Sequence, residues 1–163
     1  MPPYRLQTLL EMRERAKEEA EQAFSEAVKA LEKQKAELKR LEQELETRKA
    51  ERKQKVMAYL QGLMAKGTTG PNSFTMMNRY EERLKDEEAQ LALEIERQKE
   101  VVKTAEKLVE QRRREMAEAA KELKAIEKHK ENWTKQIRAE RQAKEELNQE
   151  EIGNTLFLMR QRK

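Results

Sequence analysis

Apolar residues recur at helical spacing along most of the chain. In the first half, a series repeats every seven residues, with a companion series between its members: Phe24, Leu31, Leu38 and Leu45, with Ala27, Gln34 and Leu41. The second half shows the same arrangement more regularly: Ile95, Val102, Val109, Met116 and Leu123, with Ala105, Arg112, Ala119, Ile126 and Trp133. A 3,4 alternation held over this length predicts two helices that pair along a coiled-coil seam.

The helical pattern is broken between Lys66 and Ser73. This segment contains two glycines and one proline, and Gly67 suits a helix C-terminus, while Pro71 is tolerated in a first turn. A connection this short folds the second helix back antiparallel to the first. The sequence therefore predicts an all-α fold, an antiparallel two-helix coiled-coil hairpin, in a single elongated domain. The predicted elements are a helix over about 4–65, a loop over about 66–72 and a helix over about 73–160.

The second predicted helix is longer than the first. In a hairpin with this loop, residue numbers that face each other sum to about 137, so residue 4 faces roughly residue 133. The last part of the second helix then overhangs at the C-terminus without facing residues in its own chain. Several large apolar residues lie there: Ile137, Leu147, Ile152, Leu156, Phe157 and Leu158. An unpartnered helix with apolar side chains is a candidate docking surface.

Composition agrees with a slender helical protein. Charged residues make up 42% of the 163 residues, with 36 Lys+Arg against 32 Asp+Glu, and hydrophobic residues make up only 36%. Ordinary soluble domains hold about 45–50% apolar residues, so a thick core is excluded. The N-terminus lacks the apolar core of a secretory signal, and no apolar run is long enough to span a membrane.

Candidate chemistry is sparse. The chain has no Cys and one His, which excludes disulfides and a Cys/His zinc site. None of the common nucleotide-binding or nucleophile motifs occurs, and a two-helix rod offers no pocket in which a pKa could be shifted. We therefore expect no enzymatic activity, no catalytic residue, no metal and no cofactor.

Two aromatic clusters leave alternatives open. His129 and Trp133 lie one helical turn apart, and they either close the seam opposite Leu6 and Leu9 or provide a partner with an aromatic anchor. Near the loop, apolar and aromatic residues are denser than two seam stripes require. They either pack the tip of the hairpin or bind a partner: Met57, Tyr59, Leu60, Leu63, Met64, Phe74, Met76, Met77, Tyr80 and Leu84.

Basic runs such as Arg112–Arg114 raise the question of nucleic acid. Binding would need positive charge gathered on one face together with stacking side chains, and the aromatic residues lie elsewhere. We therefore interpret the runs as solvated helix faces and expect no nucleic-acid partner.

Three segments carry a resemblance to a known family. They are Tyr4–Arg15 (YRLQTLLEMRER), His129–Trp133 (HKENW) and Asn148–Gly153 (NQEEIG), and the Gly67-Thr68-Thr69 turn agrees in position. Together they resemble the YscO/FliJ family, the small stalk proteins of type III secretion and flagellar export. The flagellar branch tends to have Ala where Gly153 stands and lacks the pair of His129 and Trp133. The chain is therefore more similar to the injectisome branch, which serves virulence.

The resemblance implies a function. Family members are similar in fold to the two-helix axle of the rotary ATPase γ subunit, and their joined terminal ends are thought to enter the pore of a hexameric export ATPase. Their hairpin end is thought to face the export gate, and export chaperones are further expected partners. The implied location is cytoplasmic, peripheral at the inner-membrane base of the secretion apparatus, for a monomer not inserted in the membrane.

The resemblance also implies which residues make these contacts. The ATPase-binding residues would be Leu6, Leu9, Arg13, Trp133, Ile137, Leu147 and Ile152. The export-gate-binding residues would be Phe74, Met77, Tyr80 and Leu84. The alternative function is a generic structural coiled-coil spacer that self-associates through its C-terminal overhang.

Overall fold

Two long helices make up nearly all of the protein. The computed structural model describes residues 2–67 and 70–162. Helix α1 is Gln7–Ala65, with 59 residues, and helix α2 is Pro71–Gln161, with 91 residues. Over the described residues there is no strand. The all-α prediction with a longer second helix is confirmed.

The connection between the helices follows the predicted turn chemistry. Gly67 adopts φ = +67°, a left-handed conformation in which a side chain would be strained, and its N–H donates to the Met64 carbonyl at 3.2 Å. Helix α2 begins at Pro71, two residues before the predicted start, because the first turn of a helix does not need the N–H that proline lacks. Thr68 and Thr69, in the middle of the predicted loop, lie outside the described residues.

Helix α1 begins later than predicted, at Gln7 instead of about residue 4. The Gln7 N–H donates to the Tyr4 carbonyl at 3.1 Å in a turn that leads into the helix. Pro2 and Pro3 favour an extended backbone ahead of this turn, since a residue that precedes proline is disfavoured in helical conformation. We call Pro2–Leu6 the N-terminal strap.

The chain divides into two compact units. The central unit is Ala23–Arg113, and the terminal unit combines Met1–Gln22 with Arg114–Lys163. Each unit contains a stretch of α1 packed against a stretch of α2. The predicted single domain stays a prediction.

The central unit holds an antiparallel helix pair. Gln98 donates from Nε2 to Gln34 Oε1 at 2.8 Å, and Arg52 pairs with Glu88, so rising numbers on α1 meet falling numbers on α2. Its main hydrophobic cluster consists of Leu41, Leu91 and Ile95, with Leu38 and Leu45 packed against it. Leu45 thus packs in the cluster that contains Leu91, as facing residue numbers that sum to about 137 predict.

The terminal unit is also antiparallel. Arg13 forms an ion pair with Glu122, and Lys130 donates to Gln7 Oε1 at 2.8 Å. Leu10 and Leu123 are buried in this unit, as is Tyr4 from the strap. Across both units every predicted seam residue, including the polar Gln34 and Arg112, is buried or half-buried. The predicted heptad seam is therefore confirmed.

Candidate functional site

The end of α2 exposes a group of large apolar side chains in the terminal unit. Every residue from Arg138 to Arg162 is exposed, and we call this stretch the C-terminal overhang. Its six large apolar side chains are 54–62% exposed: Leu147, Ile152, Leu156, Phe157, Leu158 and Met159. The predicted overhang is therefore confirmed.

The apolar residues near the end of the overhang surround the helix axis. Successive residues are rotated by about 100°, so the four consecutive residues Leu156–Met159 project in every direction. A helix that is apolar on all sides is typical of one enclosed by other structure. A single groove would leave some of these side chains in water.

The strap covers α2 at the base of the overhang. Tyr4 is only 8% exposed, and its ring centroid lies 5.1 Å from that of Trp133. The Tyr4 hydroxyl and His129 Nδ1 are within hydrogen-bonding distance, and the hydroxyl donates when that nitrogen carries no proton. Lys130 Nζ lies 5.8 Å from the Tyr4 ring centroid. Trp133 is half-buried, and Tyr4, a residue outside both seam series, contributes to that burial.

The seven predicted ATPase-binding residues all fall in the terminal unit, in two environments. Leu147 and Ile152 are exposed in the overhang. Five are half-buried where α1 or the strap packs on α2: Leu6, Leu9, Arg13, Trp133 and Ile137. Arg13 is already engaged by Glu122, so its charge is partly satisfied within the chain.

The four predicted gate-binding residues all fall in the central unit, near its loop. Phe74 is 40% exposed, whereas Met77, Tyr80 and Leu84 are half-buried. The Tyr80 ring centroid lies 6.2 Å from that of Tyr59 and 5.3 Å from the Arg83 guanidinium carbon. These three half-buried residues therefore contribute to packing as well as to surface.

The most exposed large apolar side chains near the loop are methionines that the predicted gate-binding set omits. Met57, Met64 and Met76 are each more exposed than Phe74. One groove of about 530 Å³ is lined by Lys55, Ala58, Tyr59, Met76 and Tyr80. Flexible methionines adapt to apolar partners, so this groove extends the candidate surface.

A charged pair occupies the seam of the central unit. The side chains of Arg52 and Glu88 are 17% and 10% exposed, and Nε lies 2.9 Å from Oε1. These two atoms nevertheless make no well-aligned hydrogen bond with any described residue. Arg52 has a second acidic neighbour, Glu81, at 3.9 Å.

The adjoining cavity of about 120 Å³ does not favour a ligand of either charge. Three basic and three acidic side chains line it together with Leu84, namely Arg48, Arg52, Lys55, Glu51, Glu87 and Glu88. The seven-residue spacing of the seam also predicts that Arg52 and Glu88 are buried, although neither residue is apolar. Arg52 lies seven residues after Leu45, and Glu88 lies seven before Ile95. Both positions continue the seam.

Ion pairs on the outer helix faces lower the pKa of two carboxyl groups, those of Glu37 and Glu131. Arg40 lowers the pKa of Glu37 through a side-chain hydrogen bond, and Lys135 lowers the pKa of Glu131 in the same way. Both shifts keep the carboxylates charged and stabilise solvated helix surfaces.

Among the described residues no three His, Cys, Asp or Glu side chains gather in a way that could hold a metal ion. Over the same residues neither helix has the continuous apolar length that a membrane crossing requires.

Comparisons with known proteins give a family for this fold. The family model described as YscO-like protein matches residues 1–163. The solved structure of CT670, a candidate YscO homologue from Chlamydia trachomatis, is 26% identical with a TM-score of 0.83. The match covers 100% of this chain and 99% of that one. No curated protein matches the sequence. The chain belongs to the YscO-like family, a family of structural proteins of type III secretion.

Proposed function

We propose that this protein is a non-enzymatic stalk that couples the hexameric export ATPase of a type III secretion system to its export gate. Family membership supports a role in the secretion apparatus. The two sets of predicted contact residues lie in different compact units of the chain, which suits a protein with two partners. The ATPase contact is assigned to the terminal unit and the gate contact to the central unit.

The turn of apolar side chains that surrounds the helix near the end of the overhang carries the assignment of the ATPase. Leu156–Met159 are exposed around the full circumference of α2, together with Ile152 one turn earlier. Burying all of them at once needs a partner that encloses the helix. The pore of a ring-shaped hexamer is such a partner, whereas a flat surface would leave part of the helix wet.

The methionine-rich end of the central unit is proposed to contact the export gate. Phe74 and Met76 are exposed and lie beside the half-buried Met77 and Tyr80. Exposed apolar clusters of this kind mark protein interaction sites on monomeric proteins. Export chaperones are further proposed partners, and the proposed location is the cytoplasmic base of the apparatus at the inner membrane.

The ATPase assignment is tested by titrating the protein into the purified export ATPase of the same secretion system. Hexamer assembly and ATP turnover are expected to rise with the wild-type protein. Trp133→Ala or Ile152→Asp should weaken both effects, because each removes an apolar contact of the terminal unit. The double variant Phe74→Ala with Met77→Ala is the matched control, which should keep ATPase stimulation and lose gate binding. Absence of stimulation by folded wild-type protein would contradict the proposal.

The exposed overhang also favours one alternative, self-association as a coiled-coil spacer. Light scattering over a wide concentration range separates the two functions. The stalk is expected to remain a monomer at every concentration. A stable dimer that Ile152→Asp dissociates would support the spacer.

A further inference from the structure

The N-terminal strap is attached to α2 through side chains. Among the described residues, its backbone hydrogen bonds run to the start of α1: Gln7 N–H to the Tyr4 carbonyl at 3.1 Å and Leu10 N–H to the Leu6 carbonyl at 2.9 Å. Tyr4 is the one buried residue of the strap, while Pro2, Pro3 and Arg5 are exposed. Leu6 is half-buried, so Tyr4 is the main but not the sole side-chain anchor of the strap.

The latch combines three contacts around one ring. The Tyr4 ring packs on Trp133, its hydroxyl meets His129 Nδ1, and Lys130 Nζ approaches its face at 5.8 Å. Lys130 also donates to Gln7 Oε1, which fixes the point where the strap enters α1. All three partners of Tyr4 lie within about one and a half turns of α2. If the Tyr4 ring moved away from α2, its contacts with all three partners would be lost together.

The strap lies over the residues that begin the overhang. Trp133 and Ile137 are half-buried, whereas every residue from Arg138 to Arg162 is exposed. Pro2 and Ile137 line a groove of about 240 Å³ in which the strap reaches beyond Trp133 along α2. An interface tryptophan contributes most when its faces are fully covered by the partner. With Tyr4 in place, part of the Trp133 ring is already in contact with another side chain.

We propose that the strap is a displaceable cover of Trp133. In the closed state Tyr4 packs on the tryptophan, and in the open state Trp133 and Ile137 become available as additional apolar contacts at the base of the overhang. This inference rests on the proposed function, in which the export ATPase encloses the terminal unit. When only the open state binds the ATPase, the apparent dissociation constant equals the intrinsic constant divided by the fraction of protein in the open state. Removing the latch should therefore strengthen binding.

The test uses the full chain and its own tryptophan. Trp133 is the only tryptophan in the sequence, so its fluorescence reports the latch directly. Tyr4→Ala should increase acrylamide quenching of Trp133 at least about twofold and lower the dissociation constant for the ATPase at least about threefold. Tyr4→Phe retains the ring but not the hydroxyl, so both values should lie between those of wild type and Tyr4→Ala. The matched control Arg5→Ala removes an exposed side chain of the same strap and should change neither value.

The outcomes separate the inference from the proposed function. Unchanged quenching in Tyr4→Ala, with helicity by circular dichroism equal to wild type, would overturn the cover. Greater quenching with weaker ATPase binding would also overturn it, because Tyr4 would then belong to the binding surface. Absence of ATPase binding by both proteins would overturn the proposed function and the displacement step. The quenching comparison would still support or overturn the latch in that case.

Discussion

The buried pair of Arg52 and Glu88 provides a quantitative test of how the central unit is held together. Both side chains are largely removed from water, and their closest atoms are not aligned for a hydrogen bond. Desolvation of two charges in such a pair is only partly offset by their attraction. The pair should therefore contribute little net stability. Removal of either partner alone should still be strongly destabilising, because it leaves the other charge buried without its partner.

The structure sets the expected size of the effect. Removing one partner of a buried pair costs about 3–5 kcal/mol when the remaining charge has no other partner. In Glu88→Ala, Arg52 would keep Glu81 at 3.9 Å and some exposure, so we expect a loss of about 2–3 kcal/mol. For a chain of this size that corresponds to a fall in Tm of about 4–12 °C. The double variant Arg52→Leu with Glu88→Leu should return to within about 1 kcal/mol of wild type, or exceed it.

Thermal unfolding followed by circular dichroism at 222 nm measures these changes. Glu87→Ala is the matched control, because Glu87 is an exposed glutamate next to Glu88 on the same helix. It should shift Tm by no more than about 2 °C. Equal shifts for Glu87→Ala and Glu88→Ala would show that Arg52 does not depend on Glu88. A double variant as unstable as Glu88→Ala would contradict the small net contribution of the pair, because the charges would then contribute more than their desolvation costs.

Three further predictions concern the seam, the pH dependence and the overhang. Replacing both Gln34 and Gln98 by Leu should raise Tm, because removing both partners of a seam hydrogen bond leaves no unsatisfied amide, and a lower Tm would contradict this. The pKa of Glu131 is lowered by Lys135, so the stability that it contributes is present above its unfolded pKa and is lost as the pH falls through the folded value. Tm should therefore drop below about pH 4 and drop less in Glu131→Gln, whereas a rise of wild-type Tm on acidification would argue against the ion pair. Deleting residues 154–163 should leave Tm within about 2 °C of wild type because the described part of this segment is exposed, and a larger loss would show that it packs on the chain.

Much of the fold could be predicted because helix spacing and helix ends follow from residues that are close together in the sequence. Heptad spacing marks Val102 and Leu123 as seam residues, and both are buried. Gly67 ends α1 through a backbone conformation that glycine favours. The start of α1 could not be predicted in the same way, because Tyr4 is held by a tertiary contact with Trp133, and local helix propensity carries no information about that contact.

The candidate site was predictable where it follows from helix length. The inequality of the two helices places Leu147 and Ile152 in the overhang, where both are exposed. The buried Arg52 and Glu88 were missed because a search for apolar residues passes over charged ones, even at seam positions. The strap was missed because Tyr4 belongs to neither heptad series. A docking surface also depends on the shape of its partner, which the sequence of one chain does not contain.

Site-specific photo-cross-linking in secreting cells can identify the partner of each end of the protein. A cross-linking amino acid is placed at Ile152 in the overhang or at Met77 near the loop, and the captured proteins are identified. Position 152 is expected to capture the export ATPase, and position 77 is expected to capture the export gate. Capture of the same partner from both positions, or of a second copy of this chain from position 152, would contradict the proposed stalk function.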